Sequence, residues 1–240
     1  MSERKVIHFA HGNGFPSLSY RKMLNVLKEK NDVFFIEKMG HDNHYPITDN
    51  WTFLVDELIS SIESQSNVPV VAVGHSMGGA SLLMAAHTQP ELFTALFVFE
   101  PIVFPPTHYG DSDRPPNPLA GGARKRRTTF DSFEAALENF TAKPPMNTFH
   151  PRAREAYVRH GFAPTDDGQV TLKCLPEHEA RTYETGGGHG AWDDLPDIGI
   201  PVWVVSGAPA PFQPSAIAIQ VAERLPHSTY VQYDEMGHFG

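Results

Sequence analysis

Residues Val70-Val71-Ala72-Val73 run directly into Gly74-His75-Ser76-Met77-Gly78-Gly79, and a stretch rich in Ala, Leu and Met comes next over 80–87. The first run has the length and residue types of a buried strand, and the last has those of a helix. Joining them across Gly-x-Ser-x-Gly predicts a sharp strand-to-helix turn with the serine at its apex, a nucleophile elbow. Side chains at 74 and 78 would collide with neighbouring backbone in so tight a bend. Ser76 is then held in an uncommon backbone region, at a cost of roughly 1–3 kcal/mol. Its hydroxyl points away from the sheet at a helix N-terminus, where backbone N–H groups favour developing negative charge. Gly-x-Ser-x-Gly alone also makes ordinary turns. The strand before it and the helix after it are what select the nucleophile reading.

The elbow is one turn of a longer alternation. Strands are predicted over 5–10, 32–38, 68–73, 95–100, 201–205 and 229–233, and helices over 17–30, 49–64, 80–87 and 214–225, with Asp49 as an N-cap. Alternating βα units with continuous apolar strands predict an α/β fold: a doubly wound, mostly parallel sheet covered by helices on both faces. From residue 105 to 194 the rhythm breaks into Pro and Gly clusters, a basic run and helical pieces over 130–140 and 151–160. That stretch is too long for a loop. It predicts an inserted helical cap over 105–194, between a first core part, 1–104, and a second, 195–240. Such a cap would lie over the carboxyl ends of the strands, where these sheets bind ligands.

A serine hydroxyl needs a base. In elbow enzymes the chain order is serine, acid, histidine. His238 comes after the last strand, behind Gly237, and is the candidate base. The loop after the 201–205 strand, Ser206-Gly207-Ala208-Pro209-Ala210-Pro211-Phe212, holds no carboxylate. Glu100, at the tip of the strand next to the elbow, is therefore the candidate acid, with Asp193, Asp194 and Asp234 as rivals. A glutamate ending the buried run Leu96-Phe97-Val98-Phe99 needs a partner, since an unpaired buried charge is costly. An oxyanion hole requires two backbone N–H donors. Met77 supplies one, and the turn His11-Gly12-Asn13-Gly14 supplies the other from Asn13, or alternatively Gly14.

With these motifs the chain resembles the α/β-hydrolase superfamily, specifically its cap-bearing bacterial serine hydrolases of the esterase, lactonase and haloperoxidase-like type. The resemblance rests on His11-Gly12-Asn13-Gly14, Gly74-His75-Ser76-Met77-Gly78-Gly79 and Gly237-His238-Phe239. It implies cleavage of a carboxylic ester or lactone without a cofactor or metal. Carbon–carbon bond hydrolysis, a perhydrolase-like activity and non-catalytic ligand binding are the alternatives. Relatives with an aspartate nucleophile are disfavoured by Ser76. Some members carry the acid after the strand that succeeds the elbow helix, as Glu100-Pro101 would. At Ala210 this chain departs from members that place an aspartate there. The family carries a further helix after the histidine loop, whereas this sequence ends at Gly240.

The remaining features bear on partners. The net charge of −9 argues against nucleic acid. Cys174 is the only cysteine, which excludes an intramolecular disulfide, and no apolar run is long enough to span a bilayer. The expectation is a cytoplasmic protein acting on a small, apolar, ester-type molecule. Its oligomeric state is not legible. His41, Asp42 and His44 read as a polar loop, Arg124-Lys125-Arg126-Arg127 as a solvated loop of the cap, and Gly186 to Gly190 with His189 as a flexible connection. Phe104, Phe130, Phe133, Phe140, Phe149 and Phe162 read mostly as the cap's own core, with one or two lining an apolar pocket.

Overall fold

The computed structural model describes residues 4–106, 117–211 and 213–239. The expected 105–194 segment therefore includes ten positions, 107–116, that lie outside the described residues. The first half of the chain is β1 (Val6–Ala10), α1 (Arg21–Lys28), β2 (Asp32–Phe35), α2 (Thr52–Gln65), β3 (Val70–His75), α3 (Met77–Thr88) and β4 (Phe93–Phe99). An intervening region holds α4 (Pro118–Arg124), β5 (Thr129–Phe130), α5 (Phe133–Ala142), α6 (Pro151–Gly161), β6 (Phe162–Pro164), β7 (Val170–Leu172) and α7 (Pro176–Thr185). The alternation resumes with α8 (Ala191–Asp194), β8 (Val202–Gly207), α9 (Ala218–Arg224) and β9 (Ser228–Tyr233).

The main sheet has the order β2-β1-β3-β4-β8-β9, and every neighbouring pair is parallel. Parallel strands need crossovers, and the helices supply them. α2 buries Phe53, Leu54, Leu58 and Ile62 in the main core beside α3, each burial stabilising by about 1.5–3 kcal/mol. α3 is shielded almost all round, with Ala80, Leu82, Leu83 and Ala85 fully buried. Strand register brings the site's residues to one edge. His75 pairs with Phe99, and Phe99 with Val205, so Ser76 and Glu100 leave adjacent strands at the same level. Phe97 and its register partner Trp203 remain 39% and 40% exposed.

Several expectations need correction. The intervening region is not purely helical: β5, β7 and β6 form a small antiparallel sheet. Its strands are two or three residues long, too short for periodicity to register. Phe130 lies in β5, and the helix expected there begins at Phe133 behind the Ser132 cap, whose side chain accepts from Ala135 N. The region has its own core around Phe130, Tyr157, Phe162 and Val170, with Phe133, Phe140 and Phe149 packed on it, whereas Phe104 packs on the main core. The 49–64 helix starts at Thr52, preceded by Trp51 at φ 62°, and Asp49 is not its cap. Thr48 Oγ1 accepts from Phe53 N at 3.2 Å, and Asp49 pairs with Arg181 at 3.0 Å. The basic run is not simply solvated. Arg124 pairs with Glu177 and Glu184, and Arg126 is largely buried against Glu179 and Tyr157. Among the described residues no helix is long and apolar enough to cross a membrane.

Candidate active site

The turn after β3 is as tight as its glycines predict. Ser76 has φ 55° and ψ −116°, outside the comfortable range of a residue with a Cβ. A Cβ at Gly78 would lie 2.3 Å from the Ala10 carbonyl oxygen, so the first turn of α3 rests on the backbone leaving β1. Gly78 N donates to His11 O at 3.1 Å, tying the elbow to the His11–Gly14 turn. In that turn Phe15 N donates to Gly12 O at 3.1 Å, with Gly14 at φ 75°. His11, fully buried, has its Nδ1 2.8 Å from Gly12 O while its Nε2 accepts from Met39 N at 2.7 Å. Burial pushes the His11 imidazole down to about 4, so it stays neutral, and Nδ1 carries the proton toward the carbonyl.

Ser76, His238 and Glu100 meet in one line of hydrogen bonds. Ser76 Oγ lies 3.1 Å from His238 Nε2, and His238 Nδ1 lies 2.6 Å from Glu100 Oε2. Glu100 is completely buried, and its backbone is left-handed at φ 44°. Its second carboxylate oxygen, Oε1, accepts from Gly207 N at 2.9 Å. That satisfies a carboxylate which would otherwise be costly to bury. The rival carboxylates lie elsewhere: Asp194 faces His87 at 3.8 Å, and Asp234 accepts from Gln232 at 2.6 Å.

Among the described residues the Met77 and Asn13 backbone N–H groups have no internal acceptor. The Asn13 side chain is engaged, its Nδ2 donating to Glu179 O of α7 at 2.9 Å. A Cβ at Gly14 would meet the Glu179 carboxyl group at 2.7 Å, so α7 sits directly against this turn. Phe15, Phe149, Tyr157 and Phe239 form a ring cluster with centroids 4.9–6.0 Å apart, beside the His238 ring. His189 is buried against Trp51 at 4.9 Å and lines a cavity of about 180 Å³ with Phe104 and Trp192.

Four residues at or beside the line are not singled out by sequence: Gly207, His75, Tyr20 and His11. Gly207, the last residue of β8, falls in the stretch where the sequence reading seeks an acid. A Cβ there would lie 2.1 Å from the Met236 carbonyl oxygen. His75 lies 2.8 Å through Nε2 from His238 O and 2.7 Å through Nδ1 from Tyr20 Oη. Tyr20 Oη also accepts from Gly12 N at 3.2 Å. His11 belongs by its sequence only to a glycine turn. The one signal available is the histidine inside the Gly-x-Ser-x-Gly motif. The other contacts join segments far apart in the chain.

A family model described as the alpha/beta hydrolase family matches residues 9–240. A type I acyl-CoA thioesterase of Penicillium roqueforti is 27% identical over 145 residues, covering 53% of this chain and 33% of that protein. Monoglyceride lipase of Rattus norvegicus is 25% identical over 108 residues, covering 42% and 36%. The chain thus matches about a third of the length of these curated relatives. Among solved structures, a peroxisomal alpha-beta-hydrolase of Saccharomyces cerevisiae superposes with a TM-score of 0.77 at 16% identity, covering 99% of this chain and 71% of that one. The thioesterase domain from the curacin biosynthetic pathway gives 0.74 at 17% identity, covering 99% and 86%.

Proposed function

Because the chain belongs to the alpha/beta hydrolase family, we propose that it is a serine hydrolase cleaving a carboxylic ester or lactone through an acyl-enzyme on Ser76. The observation that carries this reading is the line of hydrogen bonds from Ser76 Oγ through His238 to Glu100. Ser76 Oγ attacks the carbonyl carbon while His238 Nε2 takes its proton. Glu100 holds the Nδ1 proton of His238, which fixes the tautomer and stabilises the imidazolium that forms. The Met77 and Asn13 N–H groups receive the oxyanion. Losing one such donor costs about 3–4 kcal/mol of barrier stabilisation. His238 then protonates the departing alkoxide, and water, deprotonated by the same imidazole, releases the acid. The region over 105–194 serves as the cap, and its α7 closes on the oxyanion turn through Asn13.

A thioester substrate is the second reading, favoured by the match to an acyl-CoA thioesterase. The chemistry is the same, with a thiolate leaving instead of an alkoxide. Wild-type protein should label with a fluorophosphonate and hydrolyse p-nitrophenyl butyrate, and Ser76→Ala should do neither while keeping its circular dichroism. Glu100→Gln should lower kcat by on the order of 10³–10⁴. Ester hydrolysis surviving in Ser76→Ala would reject the mechanism. Comparing kcat/KM for butyryl-CoA with that for the aryl ester decides between the two readings.

A further inference from the structure

Among the described residues, the segment after β9 that carries the His238 imidazole makes no helix or strand of its own. Something must hold its backbone, and the contact is made by His75, the residue before Ser76. His75 is 7% exposed and packs its ring 4.8 Å from the His238 ring and 5.8 Å from Phe99. The hydrogen bonds around it have only one consistent direction. The His238 carbonyl can only accept, so His75 Nε2 carries a proton and donates at 2.8 Å. Burial, reinforced by the neighbouring His238 and His11, pushes the His75 imidazole down to about 3, so the ring is neutral and Nδ1 is bare. Nδ1 therefore accepts from Tyr20 O–H at 2.7 Å, and the Tyr20 oxygen in turn accepts from Gly12 N–H at 3.2 Å. A charged His75 would present two donors and would break this order at Tyr20. The Gly12 position is fitted to it, because a Cβ there would lie 2.9 Å from His75 Nδ1 and 3.2 Å from Tyr20 Oη.

We propose that His75 and Tyr20 are positioning residues, a neutral relay that fixes the backbone of the catalytic histidine and couples it to the oxyanion turn. Its kinetic consequences rest on the serine-hydrolase reading. The relay joins the base to the turn that carries Asn13 through a single hydrogen-bonded chain ending at Gly12 N. Gly12 precedes Asn13, so the same relay that holds the His238 carbonyl also steadies the turn whose N–H faces the reacting carbonyl oxygen. Both act through other residues: His75 on the His238 carbonyl and Tyr20 on the Gly12 N–H.

The test uses the full chain. His75→Phe keeps the ring packing and removes both hydrogen bonds. It should lower kcat for p-nitrophenyl butyrate by about 10–100-fold with KM within about twofold, and shift the acid limb of the kcat–pH profile. Tyr20→Phe should give a smaller loss of the same kind, and the double variant should be no slower than His75→Phe. His75→Gln, which returns an N–H donor at similar reach, should recover part of the rate. Should His75→Phe fail to fold, Tyr20→Phe and His75→Gln carry the comparison. An unchanged kcat and pH profile in the folded variants, or a multiplicative loss in the double variant, would overturn the proposal. Nitrogen-15 NMR of the wild-type histidines gives a readout free of turnover. His75 should be protonated only at Nε2 and should not titrate between about pH 5 and 8, the range in which an unperturbed imidazole changes charge. Titration in that range would sink the relay even in an active enzyme. Absence of fluorophosphonate labelling in the wild type would instead sink the hydrolase reading and leave the NMR result standing.

Discussion

Gly207 has no side chain, and its surroundings give that a purpose. Its N–H holds Glu100 at 2.9 Å, and the Met236 carbonyl crosses where a Cβ would stand, at 2.1 Å. Gly207→Ala should push the Met236–His238 segment off the sheet edge. If His238 is the base proposed above, a displacement of about 1 Å there costs on the order of 10²-fold. Turnover should fall by that much while far-UV circular dichroism stays unchanged. Normal turnover would mean that Met236 moves without carrying His238. At this scale legibility is uneven. Ser76 is readable because glycine spacing and flanking elements specify an elbow. Glu100 is readable because a charge ending a buried strand demands a partner, and the partner proves to be double: His238 on one oxygen and Gly207 on the other. Gly207 and Tyr20 are not readable, because each owes its role to a close approach from a distant segment, which residue type does not encode.

At the scale of elements, α2 carries a charge that the fold must accommodate. Glu57 is buried on that helix, and its Oε2 accepts from Gly40 N at 2.7 Å, stabilising the left-handed Gly40 turn after β2. Burial, with Asp42 adding to it, pushes its carboxyl up to about 7 against that one stabilising bond. The raised value means the folded chain keeps this proton where the unfolded chain has lost it. Stability from this site is therefore fullest below about pH 4.5 and is lost as pH rises toward 7. Glu57→Gln retains an acceptor for Gly40 and removes the ionisation. It should exceed the wild type in urea-unfolding stability by about 1–3 kcal/mol near pH 8, with the gap narrowing toward pH 5. A gap equal at both pH values would show that ionisation is not the cause. The start of this same helix departs from its sequence signal. Asp49 has a capping residue's chemistry, but Arg181 of α7 draws it away, and Thr48 takes the Phe53 N–H instead. Tertiary pairing overrides local preference there.

Across the whole molecule the histidines set the acid response. His8 and His75 are pushed down to about 3, and His11, His41 and His189 to about 4, in each case mainly by burial. Below pH 6.5 the unfolded chain takes up protons that the folded chain refuses. Stability then falls as pH falls, by about 1.4 kcal/mol per pH unit for each such group. Glu57 has the opposite sign but is a single group, so the histidines dominate. Unfolding free energy in urea titrations should be nearly level above about pH 7 and drop steeply between about pH 6 and 4. A level profile down to about pH 5 would contradict the neutral, buried state of these rings. The molecule's architecture is legible at this scale because strand–helix alternation is periodic. The interior of the 105–194 region is not. Its strands are shorter than any period, and Arg126 is buried through Glu179 and Tyr157, 53 and 31 residues away.

Between Tyr233, which still pairs with β8, and the His238 imidazole, the backbone of this segment is met at two carbonyls, Met236 against Gly207 and His238 against His75. Asp234 and Glu235 are exposed to solvent. The span therefore works as a spacer of fixed length, intolerant of one residue more or fewer.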